Sequence, residues 1–196
     1  MALRDPDIRT PLREWIRANR APGLLADEMP IREGKSRMDL ALIVETLHGF
    51  EIKGDTDDMR RVPNQVTAFG AVCHRATMVT THTHLSKVVE ILPEWWEIIV
   101  VGRNDFDAVE FKIHRRGQDN PKLDFRWMTF MLHKKEMISI LKRQGKTVSQ
   151  NTPKSLLTLK IKEVFRADTD ELWPVVHEAL LERQTDSEWR HYHLKD

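Results

Sequence analysis

The chain contains 196 residues, 40% hydrophobic and 31% charged, with a formal net charge of +1, which indicates a folded globular protein and excludes a disordered one. No apolar run approaches the ~18 residues that span a bilayer, and the charged N-terminus leads us to expect no secretory signal peptide. The single cysteine, Cys73, excludes an intrachain disulfide and a multi-cysteine zinc site, and it fits a reducing cytoplasm.

Apolar periodicity and turn residues predict eight elements in the first half of the chain. They are a helix over 5–20, strands over 24–31, 37–44 and 50–54, a helix over 59–73, a strand over 76–81, a helix over 84–92 and a strand over 95–102. A hairpin followed by strands that are reached through helices predicts an α/β (α+β) fold, with a mixed sheet flanked by helices.

The pattern changes after residue 102. Residues 103–122 predict an extended hairpin or a loop, and residues 123–145 predict a long helix or a broken pair of helices. Two more helices are predicted over 152–166 and 169–184. We therefore divide the chain into a core domain, 1–103, and a mostly helical extension packed on it, 104–196.

Positive charge is concentrated in one part of the extension. Residues 121–166 hold eleven Lys or Arg and three Asp or Glu, a net charge of +8. Such asymmetry favours a polyanionic partner, although a solvated helix face would show the same composition. The candidate phosphate contacts in this stretch are Lys142, Arg143, Lys146 and Lys154.

An aspartate interrupts the apolar alternation of the strand predicted over 37–44. The alternation places Met38, Leu40, Leu42 and Val44 on one face and Arg37, Asp39, Ala41 and Ile43 on the other. An aspartate within an apolar strand is costly to bury without partners. On the next strand Glu51 and Lys53 project to the same side, since side chains at i and i+2 share a face, and Asp39 can lie across from them.

Two carboxylates and a lysine in this arrangement suit phosphodiester hydrolysis. Asp39 and Glu51 would hold a hard cation such as Mg²⁺, which prefers oxygen ligands, and the backbone carbonyl of Ile52 would complete the shell. Lys53 would orient or deprotonate a water molecule, or neutralise charge that builds on the phosphate. The alternative is an ion pair between Glu51 and Lys53 on a solvated face, which would contribute little.

The stretches "RMDLAL" and "GFEIKGD" resemble the core motif of the PD-(D/E)xK nuclease superfamily in its D-x(n)-E-x-K form. The predicted element order is also similar to that of its restriction-endonuclease-like core. More narrowly, "DEMPIREGKSRMDLALI", "GFEIKGDTDDMRRVPNQV" and "LPEWWEIIVV" resemble the sce7726 family of bacterial and phage proteins. The similarity extends into "LDFRWMTFMLHKKEMISIL" and "SLLTLKIKEVF", and so covers most of the chain.

The resemblance implies roles for individual residues. Asp39 and Glu51 become metal ligands and Lys53 the catalytic lysine. An additional upstream glutamate is best matched by Glu28, with Glu14 on the first helix as the alternative.

A helix glutamine near the active site is matched by Gln65. The RecB-like pattern has a tyrosine four residues later, where this sequence has Phe69, so only the glutamine is carried over.

The acidic run after the motif has a structural interpretation. Asp55, Asp57 and Asp58 are expected to cap the following helix, where acids are favoured. Arg60 and Arg61 then lie close to the site, and together with Arg37 they are candidate contacts to phosphate.

The sequence therefore predicts a nuclease that uses Mg²⁺ or Mn²⁺ to hydrolyse nucleic acid, with DNA as the expected substrate, in the cytoplasm of a bacterial or phage-infected cell. It predicts no membrane association and leaves a homodimer open. The alternative is a protein that keeps the nuclease fold without catalysis, either as a nucleic-acid-binding protein or as a phage–host interaction protein.

Overall fold

A six-stranded sheet with helices on both faces forms the body of the computed structural model, which describes residues 2–185. The strands are β1 Leu24–Ile31, β2 Ser36–Ile43, β3 Leu47–Lys53, β4 Arg75–Thr81, β5 Glu97–Arg103 and β6 Val109–Arg115. The helices are α1 Asp5–Asn19, α2 Val62–Val72, α3 Leu85–Ile91, α4 Phe125–Phe130, α5 Lys134–Arg143, α6 Lys154–Val164 and α7 Thr169–Thr185, and short 3₁₀ turns occupy Arg32–Gly34 and Met59–Arg61.

The spatial order of the strands follows the chain from β1 to β6. Strands β1, β2 and β3 are joined by tight turns and pair antiparallel. The crossovers through α2 and α3 make β3, β4 and β5 parallel, and β6 returns antiparallel to β5. The predicted mixed sheet and the order of the first eight elements are confirmed.

All seven residues of β3 are buried, because this strand lies inside the sheet and both of its faces are covered. On one face α1 contributes Ile8, Leu12 and Ile16, which recur every four residues and form one apolar stripe. They pack in a cluster with Phe50 and Ile52 of β3.

The opposite face carries the larger hydrophobic cluster, which joins the sheet and α2 to helices α4–α7. Trp173 of α7 belongs to this cluster, and its indole Nε1 donates a hydrogen bond to the carbonyl of Glu45 at 2.6 Å. Arg103, at the expected domain boundary, is the last residue of β5 and pairs with Val109 of β6, and one hydrophobic cluster contains residues from before and after it.

Two details differ from the sequence analysis. Strand β3 begins at Leu47 and not at Phe50, because Leu47 and His48 pair with β2 and leave a shorter turn. The strict alternation expected for β2 is also wrong, since Met38 packs in the same cluster as Ala41 and not with Leu40. The change of phase falls at Asp39.

The predicted single or broken helix over 123–145 is a broken pair, α4 and α5. Within residues 2–185, no helix combines the length and the hydropathy that crossing a lipid bilayer requires.

Candidate active site

Three carboxylates lie in one row across neighbouring strands. The β1–β2 register pairs Asp27 with Leu40 and Met29 with Met38, so Glu28 lies opposite Asp39. The β2–β3 register ends at the pair Leu40–Phe50, and one further step places Asp39 opposite Glu51. The row therefore runs from Glu28 through Asp39 to Glu51, and the strand pattern predicts the facing positions of the last two.

Asp39 lies where β2 and β3 separate. Beyond the last backbone pair, its Oδ2 accepts a hydrogen bond from the N–H of Ile52 at 2.7 Å. The carboxylate thus takes the place of the next backbone partner in the ladder, at the residue where β2 changes phase. Ile52, predicted as a backbone ligand, contributes its N–H to Asp39 and its side chain to the cluster under α1.

Glu51 is held by two donors on the α2 face of the sheet. Nζ of Lys53 lies 2.7 Å from its Oε1, and the amide of Gln65 on α2 donates to the same oxygen. The second oxygen, Oε2, is buried and has no hydrogen-bond partner among the described residues. Glu51 and Lys53 thus share one side of β3, as their spacing predicts, and Gln65 of α2 joins them.

Burial shapes the protonation of both acids. Desolvation raises the pKa of Asp39 above its ordinary value, although the Ile52 N–H and Arg9 oppose the shift. Desolvation also raises the pKa of Glu51, and the negative charge of Asp39 raises it further, against the opposing effects of Lys53 and Gln65. Two buried acids, of which Asp39 makes Glu51 harder to ionise, form a site where a cation would be favoured.

Arg9, which no sequence motif marks, already contacts this row. Nη2 of Arg9 lies 2.8 Å from Glu28, 3.1 Å from Asp39 and 2.6 Å from Asp5. Its Nη1 also donates to the backbone carbonyl of Asp39 at 2.8 Å. The spacing of Asp5 and Arg9 predicts their pairing on a helix, but no local pattern predicts a contact between positions 9 and 39.

The oxygen atoms present would suit a hard cation. Asp39 lies close enough to Glu51 for its charge to raise the pKa of Glu51, and the unpartnered Oε2 of Glu51 is a free ligand atom. Glu28 is bound to Arg9 and Arg37, whereas Glu14 is exposed on α1 and does not contact the row. Among residues 2–185 no cluster of three or more His, Cys, Asp or Glu is arranged to hold a metal ion. A cation here would therefore rely on two carboxylates, backbone oxygen and water.

A cleft of about 670 Å³ opens beside the row. Apart from two acids of the row, its charged side chains are cationic, and two side chains carry amides. The lining residues are Glu28, Arg32, Gly34, Lys35, Ser36, Arg37, Asp39, Arg61, Asn64 and Gln65. Of the predicted phosphate contacts, Arg37 and Arg61 therefore reach the site. Arg60 is instead exposed and paired with Asp58, which caps the 3₁₀ turn as predicted.

The rim of this cleft has an unusual backbone. Glu28, Arg32 and Glu33 have φ angles of 50°, 50° and 58°, in the left-handed region that residues other than glycine seldom adopt. Each such conformation costs on the order of 1–3 kcal/mol and is concentrated at functional sites. Two of these three residues, Glu28 and Arg32, line the cleft.

The positive charge of residues 121–166 is partly neutralised in the fold. Arg143 forms a two-pronged ion pair with Glu178 of α7, with both N–O distances 2.9 Å. Lys146 lies 3.3 Å from Glu163, and Lys154 lies 3.7 Å from Glu33. Lys142 is exposed on α5. These four predicted nucleic-acid contacts are therefore not brought together at the carboxylate row.

Comparisons with known proteins identify a phage family. A family model described as Bacteriophage P4 protein cII matches residues 2–195. Protein cII of Enterobacteria phage P4 is 28% identical over 161 residues, which cover 79% of this chain and 59% of that protein, so the chain spans about three fifths of the length of this curated relative. No solved structure matches the chain. Because the family model covers nearly the whole sequence, the chain belongs to the Bacteriophage P4 protein cII family.

Proposed function

We propose that the chain is a divalent-cation-dependent nuclease with a restriction-endonuclease-like core of the PD-(D/E)xK type. The observation that carries the proposal is that Glu51 is bound by both Lys53 and Gln65 while Asp39 lies opposite it. An ordinary surface ion pair would not need a buried glutamate, a second donor from a helix and a facing carboxylate. The membership in the P4 cII family leaves this activity open.

The carboxylates would share the cation. Asp39 and Glu51 would hold Mg²⁺ or Mn²⁺, and the ion would polarise a phosphoryl oxygen when bound. Both acids must be ionised to act as ligands, so their raised pKa values make cation binding release protons.

Lys53 is held in place by Glu51 and faces the same side of the strand. There it would orient the attacking water and neutralise the charge that develops on the phosphate. In the hydrolysis a water oxygen would form the new bond to phosphorus and lose one proton to solvent, the bond to one ester oxygen would break, and the leaving oxygen would take up one proton from solvent. Arg37 and Arg61, which line the adjoining cleft, would hold the flanking phosphates.

A non-catalytic nucleic-acid-binding protein is the second candidate, and Arg9 is the observation that favours it. Its guanidinium neutralises Glu28 and Asp39 without any metal ion. In that case the row would be a structural ion-pair network, and the cationic cleft would still bind phosphate.

Cleavage assays on variants of the row test the proposal. Labelled single- and double-stranded DNA and RNA are incubated with the protein in Mg²⁺, Mn²⁺ or EDTA. We expect cleavage by the wild type with metal only, and rates at least about 100-fold lower for Asp39→Ala and Lys53→Ala. The exposed Asp105→Ala and Lys112→Ala, on the far hairpin, are matched controls.

Equal cleavage by the wild type and the Asp39→Ala variant would exclude this row as the active site. Absence of cleavage together with salt-sensitive binding would establish the non-catalytic alternative.

A further inference from the structure

The carboxylate cleft continues into a second surface that contains aromatic rings. Arg32 lines the cleft beside Asp39, and it also lines a neighbouring cavity of about 270 Å³ with Lys122 and Trp127. Next to that cavity α4 presents Arg126 and Phe130. We call the surface formed by Arg32, Lys122, Arg126, Trp127, Phe130 and Lys154 the cationic aromatic surface.

Cationic groups already lie over both rings of this surface. The guanidinium carbon of Arg32 is 4.7 Å from the ring centroid of Trp127. Arg126 lies 5.3 Å and Lys154 5.2 Å from the ring centroid of Phe130. The two rings, 5.5 Å apart and edge to face, are half-buried. A nucleobase is planar like a guanidinium and stacks on the same kind of ring face.

Arg32 connects the two parts and is not fully satisfied by the protein. Its Nε is buried without a hydrogen-bond partner in the described part of the chain, and its backbone is in the left-handed region. A guanidinium that lines an open cleft beside an aromatic ring can bind a phosphate oxygen while the ring holds a base. The acids beside the surface are already bound within the protein, since Glu33 pairs with Lys154 and Asp124 caps α4.

We propose that the cationic aromatic surface binds a single strand of nucleic acid and leads it to the carboxylate row. In a duplex the base faces are covered by neighbouring bases, so stacking on Trp127 requires unpaired bases. The proposal extends the proposed nuclease by naming its substrate as single-stranded, and the binding itself does not depend on cleavage.

Binding in EDTA separates this inference from catalysis. The anisotropy of labelled oligonucleotides of about 16 nucleotides is measured for single-stranded DNA, single-stranded RNA and the matching duplex. We expect the wild type to bind a single strand more tightly than the duplex. Tighter binding of single-stranded DNA or of single-stranded RNA shows which of the two sugars the surface prefers. Equal affinity for these two strands indicates that only stacking and phosphate contacts are used.

Substitutions at position 127 test the stacking. Trp127→Leu should weaken single-strand binding about 5- to 150-fold, whereas Trp127→Phe should lose much less because it keeps an aromatic face. Phe106→Leu is the control, since Phe106 is 90% exposed on the distant β5–β6 turn and should have no effect. Arg32→Gln provides a second variant should Trp127→Leu fail to fold, and we expect a loss of at least fivefold.

Duplex binding equal to single-strand binding, or unchanged affinity of the folded Trp127→Leu or Arg32→Gln variant, would overturn the inference. Loss of single-strand binding in these variants of a protein that cleaves nothing would uphold the inference while the nuclease proposal fails.

Discussion

Nη2 of Arg9 lies 3.1 Å from Oδ1 of Asp39, so an arginine on the first helix neutralises the carboxylate at the centre of the candidate site. The same atom contacts Glu28 and Asp5. One guanidinium thus holds together acids from a helix and two strands. A divalent cation bound at the row would compete with Arg9 for Asp39.

Replacing Arg9 should therefore make stability depend on divalent cations. Arg9→Ala leaves the facing carboxylates without a counter-charge, which we expect to cost about 1–3 kcal/mol in EDTA. Added Mg²⁺ should raise the Tm of the variant more than that of the wild type, because ligand bound to the folded state stabilises it. Calorimetry with and without Mg²⁺ measures both effects.

Arg13→Ala is the control for this prediction, since Arg13 pairs with Asp27 one turn further along α1. It should lower the Tm without any added response to Mg²⁺. An equal response of wild type and Arg9→Ala would contradict competition between Arg9 and a cation.

Glu51 should make the protein less stable as the pH rises. Its pKa is raised from an ordinary value to about 8 in the fold, so the folded state binds more protons than the unfolded state between about pH 4 and pH 8. The free energy of unfolding therefore falls through this window. Glu51→Gln removes this dependence. The free energy of unfolding of the variant minus that of the wild type should therefore be larger at pH 9 than at pH 5.

Urea unfolding of both proteins at each pH, in EDTA, measures the difference. Because the two proteins are compared at each pH, the contributions of other titrating groups to stability cancel. His48 is one such group: its buried ring has a pKa lowered to about 3, so its contribution changes with pH in the direction opposite to that of Glu51. Parallel stability curves for the two proteins would contradict the raised pKa of Glu51.

Close packing at Gly49 is a separate prediction about the core. A Cβ at this position would lie 2.7 Å from Sδ of Met38 and 2.9 Å from atoms of both Phe69 and Cys73. Gly49→Ala should therefore destabilise the protein by about 1–3 kcal/mol through overpacking between β3 and α2. Denaturant midpoints measure the change.

Gly102→Ala in β5 is the matched control, because a Cβ there meets no atom within 4 Å. It should be neutral or slightly stabilising. Equal destabilisation at both positions would contradict overpacking at Gly49 as the cause.

Ion pairing within the protein predicts which arginine side chains contribute to nucleic-acid binding. Arg143 is engaged by Glu178, whereas Arg61 lines the carboxylate cleft. Arg61→Gln should weaken binding and reduce the slope of log K against log salt by about 1, and Arg143→Gln should change neither. Titrations at several salt concentrations measure the slopes. A larger effect at Arg143 would place the main phosphate contact beside α5 and α7 and not at the carboxylate cleft.

Local patterns were sufficient for the order of elements and for part of the site. The alternation and turn residues placed Asp39 and Glu51 on neighbouring strands, because side-chain period and chain reversal are local properties. The i, i+2 spacing likewise predicted that Glu51 and Lys53 share a face. The resemblance to a nuclease motif added Gln65, which does contact Glu51.

The sequence by itself thus determined the mixed sheet, the strand motif and the charge asymmetry. Only the tertiary structure decided which charges meet. Arg9 reaches Asp39, and Arg143 is neutralised by Glu178, through contacts that span 30 and 35 positions. No local pattern encodes such contacts, because the packing of helices against a sheet sets them. The same packing places Arg32 between the carboxylate cleft and Trp127.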